Sequence, residues 1–468
     1  MEKLGWKGMG ALFAALAALP AAPAVAADDA GQAQLNQRLE ALEQELAVVR
    51  RQLEVKAEED ARDRERSGIL TADSQGFQLR SRDQKTYRLR LRGYMQSDGR
   101  LFVNDEGGND TFLIRRARPI FEGTLFEIVD FRIMPDFGGS GTSSSANATL
   151  QDAWVNYRPW SWLQLQSGKY KAPFGLERLQ SATALTFIER ALPTTVAPNR
   201  DIGFMLQGDL REGFASYQLA FMNGVIDGGS ADADVNDAFD GFARVFVHPF
   251  QETSLELLQG LGVGFAGNYG RQDGNPNTAT STSTPQYRTA GQQVFFNYGV
   301  GVEEIDDRIR LSPQAYWSWG PLWAMGEWVR SSANLKLVTT DEEEEVDIES
   351  WQATVSWVVT GENRTYNGVV PRTSFNPARE DTGPGAWELA ARIDGWKIDD
   401  DVFDQGFANE ATQAEEALEW ALGVNWYINP FLKIQLNYNE THFDGGGGAN
   451  GGDRDTEHVL GSRFQVAF

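Results

Sequence analysis

Tyr87-Arg88-Leu89-Arg90-Leu91-Arg92-Gly93-Tyr94-Met95-Gln96 alternates basic and apolar residues, and after a Gly/Asn/Asp loop comes Phe112-Leu113-Ile114-Arg115-Arg116-Ala117-Arg118-Pro119-Ile120-Phe121-Glu122-Gly123. Successive side chains of a strand point to opposite faces, so Arg88, Arg90 and Arg92 share one face and Leu89, Leu91 and Met95 the other. An apolar outside with guanidinium groups inside suggests a membrane barrel with a basic lumen. The same stretch also fits a half-exposed strand with its arginines in water. Its surroundings decide.

The chain has 468 residues with 48 Gly, 27 Phe, 14 Trp and 12 Tyr, yet its mean hydropathy is −0.41. Aromatic but not apolar overall is the composition of a barrel, where alternate residues face lipid and aromatics form the interface girdles. The net charge of −24 argues against nucleic acid as a partner. With no cysteine there is neither a disulfide framework nor a thiolate metal site. The three histidines, His248, His442 and His458, accompany no nucleophile motif and no metal-ligand spacing. An enzymatic barrel is therefore the least supported reading, and no metal or cofactor is expected.

Residues 1–26 read as a secretory signal. Lys3 and Lys7 precede an apolar stretch from Met9 to Leu19 that is too short to span a membrane, with a small-residue cleavage site near Ala26. Residues 27–66 form a polar spacer, a helix and a linker. Leu35, Leu39, Leu42, Leu46, Val49 and Leu53 follow the 4-3-4-3-4 spacing of an a/d seam. The readings are a short periplasmic coiled coil or one amphipathic helix on the barrel. From Lys56 to Arg66 dense charge replaces the seam, which suggests a solvated linker.

From about residue 77 to 468 the pattern is short alternating strands. Sixteen are expected, at 88–98, 112–125, 127–137, 150–158, 162–169, 202–210, 214–222, 241–248, 261–269, 308–319, 322–333, 350–360, 386–398, 417–428, 431–443 and 457–468. An even number suits a closed antiparallel transmembrane barrel. A weaker extra candidate covers 292–298. Short turns at Arg158-Pro159-Trp160, Trp319-Gly320-Pro321 and Asn429-Pro430 alternate with long polar loops at 270–285, 399–416 and 444–455, placing the former in the periplasm and the latter outside. The acidic run Asp341 to Glu345 is read as a solvated loop face, with cation-bridged contact to lipopolysaccharide as the second option. The last strand, Arg463-Phe464-Gln465-Val466-Ala467-Phe468, ends on the terminal Phe typical of outer-membrane barrels. The expected address is the outer membrane of a Gram-negative bacterium, among its lipid and lipopolysaccharide.

Several blocks in order resemble the phosphate-selective porin family of the O/P type. They are residues 112–123, Leu150-Gln151-Asp152-Ala153, Gly168-Lys169-Tyr170-Lys171-Ala172-Pro173-Phe174-Gly175-Leu176-Glu177-Arg178, Thr360-Gly361-Glu362, Gly385-Ala386-Trp387-Glu388-Leu389 and Leu422-Gly423-Val424-Asn425-Trp426-Tyr427. The resemblance implies a homotrimer of 16-stranded barrels, each narrowed by an inward loop. It also implies an anion-binding constriction at Arg115, Arg116, Asp152 and Arg178, with two further pore-side positions at Arg118 and Lys171. Arg88, Arg90 and Arg92 become candidates for an anion-guiding row. Guanidinium forks suit phosphate oxygens, and an anion entering a narrow pore must regain its lost hydration from several donors. Arg115 and Arg116 are adjacent, so a bulge is needed for both to face the pore; Asp152 orients an arginine or accepts from a protonated phosphate. Tyr94 stands where selective members place an arginine, which leaves a non-selective diffusion porin open, alongside a structural barrel gripping an envelope partner. The expected solutes are phosphate, pyrophosphate or short polyphosphate, moving passively.

Overall fold

The computed structural model describes residues 29–66, 68–73, 76–103, 108–139, 148–233, 237–448 and 451–468; the expected signal segment lies outside them. The chain divides into two units, residues 1–67 and 68–468. In the first, helix α1 (Asp29–Arg66) runs through the stretch where a linker was expected. Arg and Glu are good helix formers, so dense charge does not end a helix. All six seam residues from Leu35 to Leu53 are exposed along it.

The second unit begins with a hairpin, β1 (Ile69–Asp73) and β2 (Gly76–Arg80). The ring starts with β3 (Tyr87–Phe102), β4 (Thr111–Leu125), β5 (Val129–Asp136), β6 (Thr149–Trp160) and β7 (Leu163–Lys171). It continues through β8 (Arg200–Leu210), β9 (Ala215–Met222), β10 (Asp240–Val247) and β11 (Leu261–Asp273). A small hairpin of β12 (Gln286–Arg288) and β13 (Val294–Asn297) stands outside the main sheet, and it accounts for the extra candidate at 292–298. The wall resumes with β14 (Val302–Trp319), β15 (Leu322–Leu337) and β16 (Glu342–Val358). After a second small hairpin, β17 (Arg364–Thr365) and β18 (Gly368–Val369), come β19 (Ala386–Ile398), β20 (Ala414–Asn429), β21 (Leu432–Gly445) and β22 (Glu457–Ala467). The main sheet has 18 strands, of which β1 and β2 form the leading hairpin and the other sixteen close antiparallel into a barrel. Each of the sixteen expected segments overlaps one of these. The acidic run is a correction: Glu342 to Glu345 belong to β16, because the strand continues above the membrane band.

Closure falls inside the stretch that opened the sequence reading. Val459 to Ala467 of β22 pair with Phe102 to Tyr94 of β3, and Phe468 exchanges two main-chain hydrogen bonds of 2.9 Å with Gly93. Below Gly93, β3 changes partner: Leu91 to Arg88 pair with Phe77 to Arg80 of β2. The leading hairpin therefore belongs with the barrel, eight residues earlier than residue 77.

The outside is apolar for the reason period two requires. On β16, Trp351, Val355 and Trp357 are exposed while Ser350, Gln352, Thr354 and Ser356 are buried within. With the following Val359, this outward row runs about 27 Å along the strand, or about 20 Å across the membrane at the usual tilt, most of a barrel's lipid belt of about 25 Å. Glu343, Glu345 and Glu349 continue the same outward row above it.

Three connections fold inward and narrow the lumen. Residues 172–199, between β7 and β8, are largely buried. They are pinned to the far wall: Asn437 accepts from the Ile188 N–H (2.7 Å), Asp394 from the Leu192 N–H (3.0 Å), and Lys433 donates to the Thr183 and Leu185 carbonyls (both 3.1 Å). From the external side the 274–301 connection places Tyr287, Phe295 and Phe296 around Trp396, with ring centroids 4.9, 5.0 and 5.4 Å away. From the periplasmic side, Tyr366 donates to the Leu176 carbonyl at 2.6 Å. The open space lies between the 172–199 loop and the wall from β3 to β9.

Candidate anion-binding constriction

This space is a cavity of about 1190 Å³. Ten of its described lining residues are basic and four acidic, so its walls carry a formal excess of six positive charges inside a strongly acidic chain. Local alternation, not whole-chain charge, sets the lumen field.

Arg115 and Arg116 both face the cavity because β4 is bulged between them. Gln96 lies opposite Arg116 and the next residue, Ser97, opposite Ile114, leaving Arg115 as the extra residue. A bulge re-aims one side chain without ending the strand. Arg115 then bonds Glu189 through Nε (2.7 Å) and Nη2 (3.3 Å), while Arg116 donates to the Gln96 side-chain oxygen at 2.7 Å. Glu189 also accepts from Arg100 at 3.0 Å and lies 4.0 Å from Arg116, so one loop carboxylate gathers three wall arginines. Arg118 donates to Asp136 (2.7 Å) and to the Tyr94 hydroxyl (2.9 Å). Tyr94 thus orients a neighbouring guanidinium where the resemblance led one to expect an arginine.

Asp152 accepts from Arg200 at 2.8 Å and lies 3.7 Å from Arg132. Of its two expected roles, orienting an arginine is the one with a partner in place. Lys171 and Arg178 have different surroundings. Lys171 donates to the Leu179 (3.2 Å) and Gln180 (2.9 Å) carbonyls, and Arg178 to those of Thr194 and Ala197. Arg190, missed in the sequence reading, donates to the Glu177 (3.0 Å) and Gln180 (2.8 Å) carbonyls. Among the described residues none of these three cations enters an ion pair with a carboxylate. Lys171 and Arg190 tie up carbonyls at the end of the short helix α2 (Leu176–Leu179), which has no continuing turn to satisfy them, and Arg178 does the same for the short helical turn at Pro193–Val196. Unlike Arg115 and Arg118, none of the three has a carboxylate in direct contact among the described residues.

Gly168 supports this corner. Its φ is +123°, and a Cβ there would strike the Ala153 carbonyl oxygen, so only glycine lets β7 approach β6 this closely. Among residues sequence reasoning missed, Glu189-Arg190 is the one charged pair between Phe187 and Leu192, and Arg132 and Arg200 stand at alternating or terminal strand positions. That isolation within an apolar connection was the available signal.

The three arginines expected to guide anions lie on the part of β3 that pairs with β2. Arg88 donates to Thr124 (3.1 Å); Arg90 and Arg92 pair with Glu122 at 3.3 and 3.0 Å, and Arg132 shares that carboxylate at 2.9 Å. Of the three expected residues only Arg92 lines the cavity.

The family model for phosphate-selective porin O and P matches residues 89–468. Porin O of Pseudomonas aeruginosa is 25% identical over 426 residues, covering 86% of this chain and 92% of that relative. Among solved structures, the outer membrane channel DcaP of Acinetobacter baumannii gives a TM-score of 0.53 at 10% identity, over 83% of this chain and 99% of that one. The anion-selective porin from Comamonas acidovorans gives 0.50 at 11% identity, over 82% and 100%. At such identities these two structures speak to the fold, a closed 16-stranded porin barrel.

Proposed function

The chain belongs to the phosphate-selective porin O and P family, and from that premise we propose that it is a passive outer-membrane channel for phosphate and related oligophosphate anions. The observation that carries the reading is the trio Lys171, Arg178 and Arg190, held by main-chain carbonyls on the inward loop and free of carboxylate partners among the described residues. An anion passing the loop regains from these donors, and from the spare N–H groups of Arg115 and Arg116, the hydration it sheds. Asp136, Asp152 and Glu189 keep the arginines extended and offset part of their charge. Conduction needs this, since binding must be weak enough to release. Arg88, Arg90 and Arg92 would enrich anions at the periplasmic mouth.

The proposal includes a homotrimer, with α1 in the periplasm and its exposed leucine seam packed against the same seam of two other copies. A weakly selective diffusion channel is the second reading, favoured by the neutralisation of Arg115 and Arg118. Single-channel current in chloride, titrated with phosphate, separates the two. Phosphate block that weakens in Arg178→Gln supports the first; current indifferent to phosphate supports the second.

A further inference from the structure

Farther along the same wall from the arginines, the cavity is lined by side-chain amides. Gln207 donates to Gln166 (3.0 Å), and Gln218 to Gln207 (3.4 Å). Arg244 donates to Gln218 (3.2 Å) and, on its other side, to Gln314 (3.2 Å). Gln166, Gln207, Gln218, Arg244 and Gln314 stand on β7, β8, β9, β10 and β14, so the belt follows the curve of the wall. Gln166, Gln207 and Gln218 border the same cavity as Arg92, Arg132 and Lys171. On its external side the cavity meets Thr282, Thr284, Gln286 and Thr289, with Arg288 as the one charge in that run.

A carboxamide has two N–H donors and two acceptor lone pairs. Gln207 spends one donor and one acceptor on its neighbours, so it keeps one N–H and one lone pair for a solute, in an orientation the belt fixes. Such a surface matches hydroxyl groups, which both donate and accept. A hydrogen phosphate offers only its one or two hydroxyls and is drawn first to the cations, whereas a polyol ester carries several hydroxyls that can lie along the belt while its phosphoryl group stays with the cations.

We propose that the channel's preferred solutes are phosphate monoesters of polyols, such as sugar phosphates, with the phosphoryl group on the cationic side and the hydroxyls on the carboxamide belt. This rests on the anion-channel reading above and narrows its solute class.

The test measures half-blocking concentrations of glucose 6-phosphate and of inorganic phosphate on the full-length pore, then on Gln207→Met/Gln218→Met. Two or three added neutral hydrogen bonds predict that the sugar phosphate blocks at about tenfold lower concentration. The double variant should erase that margin and leave phosphate block unchanged. Equal block by both anions in the wild type, or a variant that weakens both equally, overturns the solute class while leaving the anion reading intact. Block by neither anion, with chloride current present, overturns the anion reading itself and the solute class with it. Liposome swelling with the wild-type pore needs no variant: glucose 6-phosphate must enter faster than free glucose, and slower entry refutes the proposal.

Discussion

Arg190 offers the sharpest perturbation, because its guanidinium is fixed on the loop by bonds of 3.0 and 2.8 Å. Arg190→Gln removes one unit charge while keeping an N–H donor for the loop carbonyls. For an anion about 5 Å away, Coulomb's law gives about 0.8 kcal/mol at a dielectric constant of about 80 and about 3.3 kcal/mol at about 20. At 1.4 kcal/mol per factor of ten, these limits mean about fourfold and over a hundredfold weaker binding. A water-filled lumen lies nearer the first limit, so the half-blocking phosphate concentration should rise about tenfold. The shift should grow as salt is lowered, since the Debye length lengthens from about 10 Å at 0.1 M. Arg190→Lys keeps the charge and should stay within about threefold of wild type on the same estimate. The assay is phosphate titration of chloride current through single pores in a planar bilayer. An Arg190→Gln pore with wild-type block at low salt would refute the role given to this loop's charge in holding the anion.

Glu189→Gln leaves Arg100 and Arg115 without their carboxylate; breaking such buried pairs costs about 3–5 kcal/mol, so the urea midpoint of unfolding should fall. Gly168→Ala forces a side chain into a left-handed backbone position against β6, and should cut the yield of heat-modifiable folded barrel more than Gly213→Ala, where a Cβ meets open space. Deleting residues 34–53 should reduce trimer recovered by native electrophoresis, while single-pore conductance stays unchanged. In the β2–β3 turn, the Ser81 and Thr86 hydroxyls and the Lys85 and Thr86 N–H groups hold the Asp83 carboxyl well below the usual carboxylate range. A depressed carboxyl stabilises the turn fully above its unfolded value, and that contribution is lost as pH falls toward the folded one. The protection of the Lys85 and Thr86 amides, taken against the intrinsic exchange rate at each pH, should therefore hold at neutral pH and fall only in strong acid, whereas Asp83→Asn loses it already at neutral pH.

The barrel wall was legible because period two is a local property: Trp351 to Trp357 announce their outer face without reference to any other strand. The bulge at Arg115 was legible for a related reason, since two adjacent arginines cannot share a regular strand's face. Loop insertion was not. That residues 172–199 lean on β19 and β21 depends on Asn437, Asp394 and Lys433, all more than 200 positions away. The partner of Arg115 was hidden for the same reason, because Glu189 meets it only after that insertion. The β1–β2 hairpin escaped because five-residue strands hold too few alternations to stand out, and α1 was cut short because dense charge was taken as a helix end.

The change of partner at Gly93 has a mechanical side. A barrel's diameter and tilt follow from the stagger with which its last strand meets its first, and period two leaves slips of two residues sterically cheap. Here Phe468 ends against Gly93, and the next places along β3 are already taken by Phe77 and its hairpin. Sliding β22 toward the periplasm would drive its end into β2. The hairpin works as an end-stop for the closing seam, and through it the leading strands of the barrel gauge the width of the pore that β22 closes.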